Sequence, residues 1–413
     1  MSNRPFRMFD HERDIKAVQR IWIDCGWIDD EDEEKEIVSD FFRHGETEVG
    51  TIDGEAECSV HWTDGRIRYQ DEVLDLGAVT AVTTSHVARK LGYAKVLTAR
   101  SLARQFEAGK AISALGMFDQ GFYDKVGYGS GPYENLVQFD PASLKVSYPF
   151  RPPKRITADD YKQVHKALCN RRKFHGAVDL HPAESVSFEL RWTDKPFGLG
   201  YFDGPGGSLS HFIWGERKDE HGPYEISIRA YQTTEQLMEL LALIKSLGDQ
   251  ISSFSTVEFG EFQLQDLISQ PFRTRRGTSG GKHAQLLEAC AFWQVRILDL
   301  QACLARTHLP GPGIRFNLEL TDPVSGVLGG DMPWQGVAGD YVIDFGEESS
   351  AKPGREKGLP TLKASVNAFS RLWFGVRPAS GLAITDDLHA DGNLLKQLDV
   401  AVRLPKPHLG WDF

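Results

Sequence analysis

The sequence has no apolar run near the ~20 residues that a membrane-spanning helix requires. Its opening, Met1-Ser2-Asn3-Arg4-Pro5-Phe6-Arg7, is followed by charged residues instead of the apolar core of a secretory leader. Both absences lead us to expect a cytoplasmic protein without membrane insertion. Cysteine is scarce: Cys25, Cys58, Cys169, Cys290 and Cys303 are odd in number and lack CxxC spacing, which argues against a disulfide framework and a structural zinc site. The 13 histidines form no HxxxH or HExxH pattern, so no metal is expected. Basic residues are in deficit, 47 Lys and Arg against 58 Asp and Glu, and the net charge of -11 disfavours nucleic acid as the main partner.

What is present is an ordinary globular composition spread over 413 residues, more than one core usually organises, so two or three domains are expected. Asp10 to Trp27 reads as a helix, with Ile15, Val18, Ile21 and Trp22 on one face. Glu46 to Thr51, Ala56 to Trp62 and Leu74 to Thr84 read as strands, with Gly54 and Gly65 marking turns. Beyond Arg89 a helix carries Val96, Ala99, Ala103 and Phe106 at helical spacing, with Gly109 placed for a left-handed cap. A strand follows at Ala111 to Gly116. From about Phe150 the order recurs: a capped helix at Thr157-Ala158-Asp159-Asp160, three strand-like runs, a helix from Thr234 to Leu247 and a strand near Thr256.

Leu286 to Leu304 fits a helical stripe, yet Trp293, Val295 and Ile297 alternate with Gln294 and Arg296 as in a strand. Asp299 suits an N-cap, which favours a strand to about Leu298 and a helix from Leu300. Gly280-Gly281-Lys282 is not a phosphate loop, because Arg276 stands where the first glycine belongs and His283 where Ser or Thr would hold magnesium. In the last part of the chain, Ile314 to Leu320 and Tyr341 to Phe345 read as strands, Val366 to Phe374 and Leu394 to Val400 as helices. Leu372-Trp373-Phe374 and Leu382-Ala383-Ile384 would line a ligand tunnel or fill a core. The aromatic ending suggests a terminus that docks.

The chemistry concentrates between Ala78 and Gly129. Arg89-Lys90-Leu91-Gly92-Tyr93-Ala94 follows a strand and opens a helix, whose first-turn amides lack internal partners; the glycine lets a pyrophosphate approach them, and Arg89, Lys90 and Lys95 add positive charge. After the next strand comes Gly121-Phe122-Tyr123-Asp124-Lys125-Val126-Gly127-Tyr128-Gly129. The run Asp29 to Glu34, beside Trp22 and Trp27, reads either as a solvated helix start or as an acidic rim, with Asp29 and Asp30, that attracts cationic amines.

The Arg-x-x-Gly-x-Ala sextet and the Tyr123 motif together resemble the GNAT acetyltransferase superfamily, and the whole chain resembles its three-domain branch, the enhanced intracellular survival (Eis) family. The resemblance implies an α+β protein: a catalytic GNAT domain at 1–147, a degenerate GNAT-like domain at 148–298 and a C-terminal domain similar to sterol carrier protein type 2 at 299–413. It implies acetyl-CoA as co-substrate, held by Val82, Thr83 and Thr84 along the pantetheine arm, by Lys90 to Lys95 around the pyrophosphate, and by Phe118 and Asp119 beyond the next strand. Tyr123 matches the general acid, and the α-carboxylate of Phe413 the base. The acceptor is then a primary amine, on an aminoglycoside, a polyamine or a lysine side chain, and the assembly a homo-hexamer. His86 and Val87 depart from the proline common at their turn. The central copy, with Tyr231-Gln232-Thr233-Thr234-Glu235-Gln236 at its helix start, has neither glycine nor cation there and is expected to bind no coenzyme A. The competing reading is a non-catalytic GNAT-fold protein that takes an apolar ligand in its C-terminal domain.

Overall fold

The computed structural model describes residues 5–119, 121–269, 286–330 and 332–411. The Gly280-Gly281-Lys282 segment lies outside the described residues, as do Asp412 and Phe413. The chain forms two compact units: Met1–Pro132, His175–His181 and Phe292–Phe413 make one, and Tyr133–Phe174 with Pro182–Ala291 the other.

In chain order the first unit begins with β1 (Phe6–Met8), α1 (His11–Asp24), α2 (Asp32–Phe41), β2 (Glu46–Ile52), β3 (Glu55–Tyr69), β4 (Glu72–Thr84), α3 (Tyr93–Glu107) and β5 (Ile112–Gly116). β1 to β4 form an antiparallel meander, and β5 pairs parallel with β4 after the crossover through α3. Asp10 caps α1 by accepting from the Arg13 amide, and Val18, Ile21 and Trp22 turn inward at the predicted spacing. Gly65, expected in a turn, instead lies inside β3. A Cβ there would stand 2.8 Å from the carbonyl of Asp179, because the strand Val178–Leu180 adds to β3 at Gly65–Ile67.

The free edge of β5 is taken by Trp293–Ile297, antiparallel, and that strand in turn carries Gly129–Ser130. Conversely, Glu134–Phe139 pairs antiparallel with Phe254–Val257 in the sheet of the second unit. Boundaries drawn at 147 and 298 from the sequence therefore fall after strands that have changed sheets. Local pattern carries no record of this exchange, since strand pairing is settled by partners far away in the chain. Asp299 does cap the short helix Leu300–Ala305, accepting from the Ala302 amide at 2.9 Å.

The rest of the first unit is a five-stranded sheet, in the order Ser350–Pro353, Gly339–Phe345, Ile314–Thr321, Thr361–Ser365 and Leu388–His389, with helices Val366–Trp373, Ala379–Thr385 and Gly392–Ala401. Leu372, Trp373 and Phe374 are fully buried. Tyr69 stacks on Trp373 at 4.3 Å and 1° and donates to its carbonyl, so these side chains fill a core. Towards the end of the chain, Leu409 and Trp411 are buried, and the Leu409 carbonyl accepts from the Val178 amide at 2.9 Å.

The second unit has a seven-stranded sheet, in the order Leu286–Cys290, Glu134–Phe139, Phe254–Val257, Tyr224–Ala230, His211–Arg217, Pro196–Tyr201 and Lys154–Arg155. Tyr224–Ala230 and Phe254–Val257 are parallel and joined through the helix Thr234–Ser246, whose Leu237, Leu240, Leu241 and Ile244 are buried against that sheet. A meander followed by strand, helix and parallel strand is the order of the first sheet as well. Among the described residues no helix is long and apolar enough to cross a membrane.

Candidate active site

The end of β4 is bent away from its neighbour. Ser59 faces Thr83 while His61 faces Thr80, so Ala81 and Val82 together oppose Val60, a β-bulge in which Ala81 has φ 50°. β5 pairs with β4 only from Leu76 to Val79. Among the described residues, the β5-facing edge of the strand from Thr80 to Thr84 therefore has no strand beside it. The side chains of Thr83 and Thr84 are committed to β3: Thr83 Oγ1 lies 2.8 Å from Ser59 Oγ, and Thr84 Oγ1 lies 3.2 Å from Cys58 Sγ. What Val82, Thr83 and Thr84 offer on the open side is main chain, whose amides and carbonyls remain to be paired.

The strand stops at Thr84, and Ser85 to Ala88 form a turn closed by Ser85 Oγ accepting from the Ala88 amide. Lys90 and Gly92 then take left-handed conformations, φ 66° and 79°. Gly92 is the N-cap of α3 and provides no side-chain oxygen, leaving the amides of Tyr93, Ala94 and Lys95 without an internal partner. A Cβ on Gly92 would meet nothing within 4 Å, so this helix start is open. Arg89, Lys90 and Leu91 are exposed around it. The Tyr93 ring is turned away to pack edge-on against Phe6 at 5.2 Å. The corresponding helix start in the second unit is closed: Thr233 Oγ1 accepts from the Gln236 amide, and Gln236 Oε1 accepts from the amides of Gln232 and Thr233. The start of α3 has no side-chain cap, whereas the helix at Thr234 is closed by a capping box.

Tyr123 opens the short 3-10 turn Tyr123–Val126, which packs against α3. Its residue exposure is 2 %, with Phe122, Phe118 and Tyr128 edge-on around the ring. Among the described residues its hydroxyl has no hydrogen-bond partner. Burial, reinforced by Tyr128 and Asp119, pushes the phenol well above its ordinary value and keeps it protonated. Tyr128, five residues on, is different: it is fully buried and its hydroxyl lies 2.6 Å from Ser113 Oγ. The two tyrosines thus differ in hydrogen bonding: the Tyr128 hydroxyl is engaged by Ser113, and that of Tyr123 has no partner among the described residues. Phe118 is 74 % exposed beside Tyr123, and Asp119 is exposed next to it.

The residues read as an amine site separate. Trp22 is 1 % exposed, packed among Trp27, Phe41 and Phe42, and cannot present a face to an amine from solution. Trp27 is 40 % exposed, and Asp29 and Asp30 are on the surface. The acidic run opens α2, with Asp32, Glu33 and Glu34 in its first turn, and Asp30 forms an ion pair with Lys35. These features match the solvated helix start.

Sequence reading missed three side chains that touch the Tyr123 turn: Gln294, Arg296 and Asn367. Gln294 and Arg296 look like the polar face of a half-exposed strand, yet both are fully buried. A signal did exist in Gly127 and Gly129. A Cβ on Gly127 would meet Arg296 and Val366, and one on Gly129 would meet the Asn367 carbonyl.

The profile of the acetyltransferase (GNAT) domain family matches residues 10–131. No curated protein matches the chain in sequence. Among solved structures, a probable N-acyltransferase of unknown function from Enterococcus faecalis superposes with a TM-score of 0.79 at 19% identity, covering 99% of both chains. A GCN5-related N-acetyltransferase from Anabaena variabilis gives 0.78 at 15% identity, with 99% of this chain and 100% of that one covered. Eis1 from Mycobacterium abscessus gives 0.75 at 13% identity with the same coverage. The chain shares the fold of these three structures over nearly its full length, and its residues 10–131 are similar to the acetyltransferase (GNAT) domain family.

Proposed function

We propose that the protein transfers the acetyl group of acetyl-CoA to a primary amine on a cationic small molecule or a lysine side chain. The amine nitrogen attacks the thioester carbonyl carbon, the C–S bond breaks, and the leaving thiolate takes the phenolic proton of Tyr123. The proton lost by the amine goes to a base, which the family resemblance alone assigns to the α-carboxylate of Phe413. Phosphates rest on the open start of α3 at Gly92, with Arg89, Lys90 and Lys95 as counter-charges, and the pantetheine arm lies along Val82 to Thr84. Phe118 and Asp119 border the thioester end.

The observation that carries this reading is Tyr123: a buried phenol held protonated, with its hydroxyl left unbonded next to the helix whose anion-binding amides are open. The acceptor belongs to the amines, because the open groups suit acyl transfer to a nucleophile that arrives with protons to lose. Binding of an apolar ligand by the C-terminal part has no comparable support, since Leu372 to Phe374 are packed. The likeness of residues 299–413 to sterol carrier protein type 2, the role of 148–298 as a scaffold and a hexameric assembly complete the proposal, the last to be read by light scattering.

The test is Tyr123→Phe assayed by thiol release with a panel of primary amines. Turnover should fall at least ~100-fold, the size of a general-acid contribution, while coenzyme A affinity stays within about two-fold. Full turnover by the variant would remove Tyr123 from the mechanism.

A further inference from the structure

The turn that carries Tyr123 is held from outside the GNAT segment. Its carbonyls at Asp124, Val126 and Tyr128 each accept a hydrogen bond from a side chain beyond residue 292. Asn367 Nδ2 donates to the Asp124 carbonyl at 2.9 Å and to the Tyr128 carbonyl at 2.7 Å, spanning the turn. Both partners are acceptors, so only the amide nitrogen of Asn367 satisfies them. Arg296 donates to the Val126 carbonyl with one nitrogen and to Asp322 with another, and that ion pair is 0 % exposed. Asp322 is itself fixed by the amides of Val324 and Val337 at 3.0 and 2.9 Å. Gln294 donates to Asp124 Oδ1 at 2.7 Å and to Ser130 Oγ at 3.0 Å.

A three-residue fixation of one short turn is more than packing requires. Among the described residues Tyr123 has no hydrogen bond to orient its hydroxyl, so the position of the phenol is inherited from its backbone. We propose that Asn367, Gln294 and the Arg296–Asp322 pair are positioning residues for Tyr123, which makes residues 293–367 part of the acyl-transfer centre without touching substrate. The inference rests on Tyr123 as the proton donor. Displacement of a reacting group by ~1 Å costs on the order of 100-fold in rate. Loosening the turn also admits water to the phenol and lowers the pH at which it ionises.

The experiment uses the full chain carrying Asn367→Leu, nearly isosteric and without the amide, compared with wild type, Tyr123→Phe and the double variant. Coenzyme A affinity, measured by titration, reports that the site has folded. The expected result is a fall in kcat of at least ~10-fold with the KM for acetyl-CoA within about two-fold and the alkaline limb of the kcat profile moved to lower pH. In the Tyr123→Phe background the same change should leave the residual rate as it is. Asn367→Leu with wild-type kcat and pH profile, beside an inactive Tyr123→Phe, would overturn the positioning role and leave the acid role standing. An additive loss in the double variant would also overturn it, because Asn367 would then act by another route. An active Tyr123→Phe would remove the acid and the positioning role together. Should Asn367→Leu fail to bind coenzyme A, Gln294→Met asks the same question from the other side of the turn, with the same outcomes.

Discussion

Replacing Gly127 by alanine should be among the most damaging single-methyl additions in the first unit. Gly127 has φ 90°, a region that costs an L-residue about 1–2 kcal/mol, partly offset by the reduced entropy of the unfolded alanine chain. The added Cβ would also overlap Arg296 Nη1 and stand 2.8 Å from Val366 Cγ1. Arg296 cannot give way cheaply, because it is fully enclosed and its two end nitrogens hold the Val126 carbonyl and Asp322. Breaking a buried pair of this kind costs ~3–5 kcal/mol, which brings the total to roughly 4–6 kcal/mol. Gly109→Ala is the control: φ is 80°, nearly the same, and a Cβ there meets nothing within 4 Å. Its expected cost is only the backbone part, ~1 kcal/mol. For a unit of this size each kcal/mol moves the midpoint by about 2–4 °C, so scanning calorimetry should show a drop of ~8–24 °C for Gly127→Ala against ~2–4 °C for the control. Equal shifts for the two variants would refute the claim that the glycine exists to admit Arg296.

Gly92→Glu should weaken coenzyme A binding at least ~10-fold by titration, since it sets a carboxylate in the open space before the unpaired amides of α3; unchanged binding would move the phosphate site elsewhere. If the terminal carboxylate of Phe413 is the base, adding a few residues after it should reduce kcat by ~10-fold or more while leaving coenzyme A affinity unchanged, and a normal rate from the extended chain would dismiss that base. His175 predicts a pH effect. Burial pushes its pKa down to about 4, and the ring is held neutral by accepting from the Gln70 amide at 3.1 Å while its other nitrogen donates to the Phe374 carbonyl at 3.0 Å. A folded pKa below the unfolded value of ~6.5 means that this contribution is complete above pH ~6.5 and is lost as pH falls through about 4. Denaturant midpoints should therefore decline over that window in wild type, and less steeply in His175→Gln; equal slopes would contradict the assignment.

Much of the proposed phosphate site is local. A strand ending at Thr84, a glycine four residues into a basic turn and a helix from Tyr93 are neighbours in sequence, and their spacing alone sets unpaired amides beside cations. The helix start at Thr233 has neither glycine nor cation in sequence, and the structure adds a capping box there. Tyr123 stood out by its motif, and the glycines on either side of Tyr128 already suggested a turn aromatic that packs; what the sequence did not show is that Ser113 reaches the Tyr128 hydroxyl. Trp22 was misplaced for the opposite reason: an aromatic beside an acidic run looks like a pocket wall until Phe41 and Phe42 close over it.

By itself the amino-acid order determined most of the elements, the open start of α3 at Gly92 with cations beside it, and the motif that carries Tyr123, all matters of residues within one or two turns of each other. Tertiary structure decided which strands share a sheet, which of two tyrosines keeps a free hydroxyl, and that the turn bearing it is gripped by Gln294, Arg296 and Asn367. The physical reason is that hydrogen-bonding capacity and burial are properties of a neighbourhood. Arg296 alternates with apolar residues just as a solvent-facing arginine would, and only the approach of Gly127 and Asp322 turns it into a buried clamp.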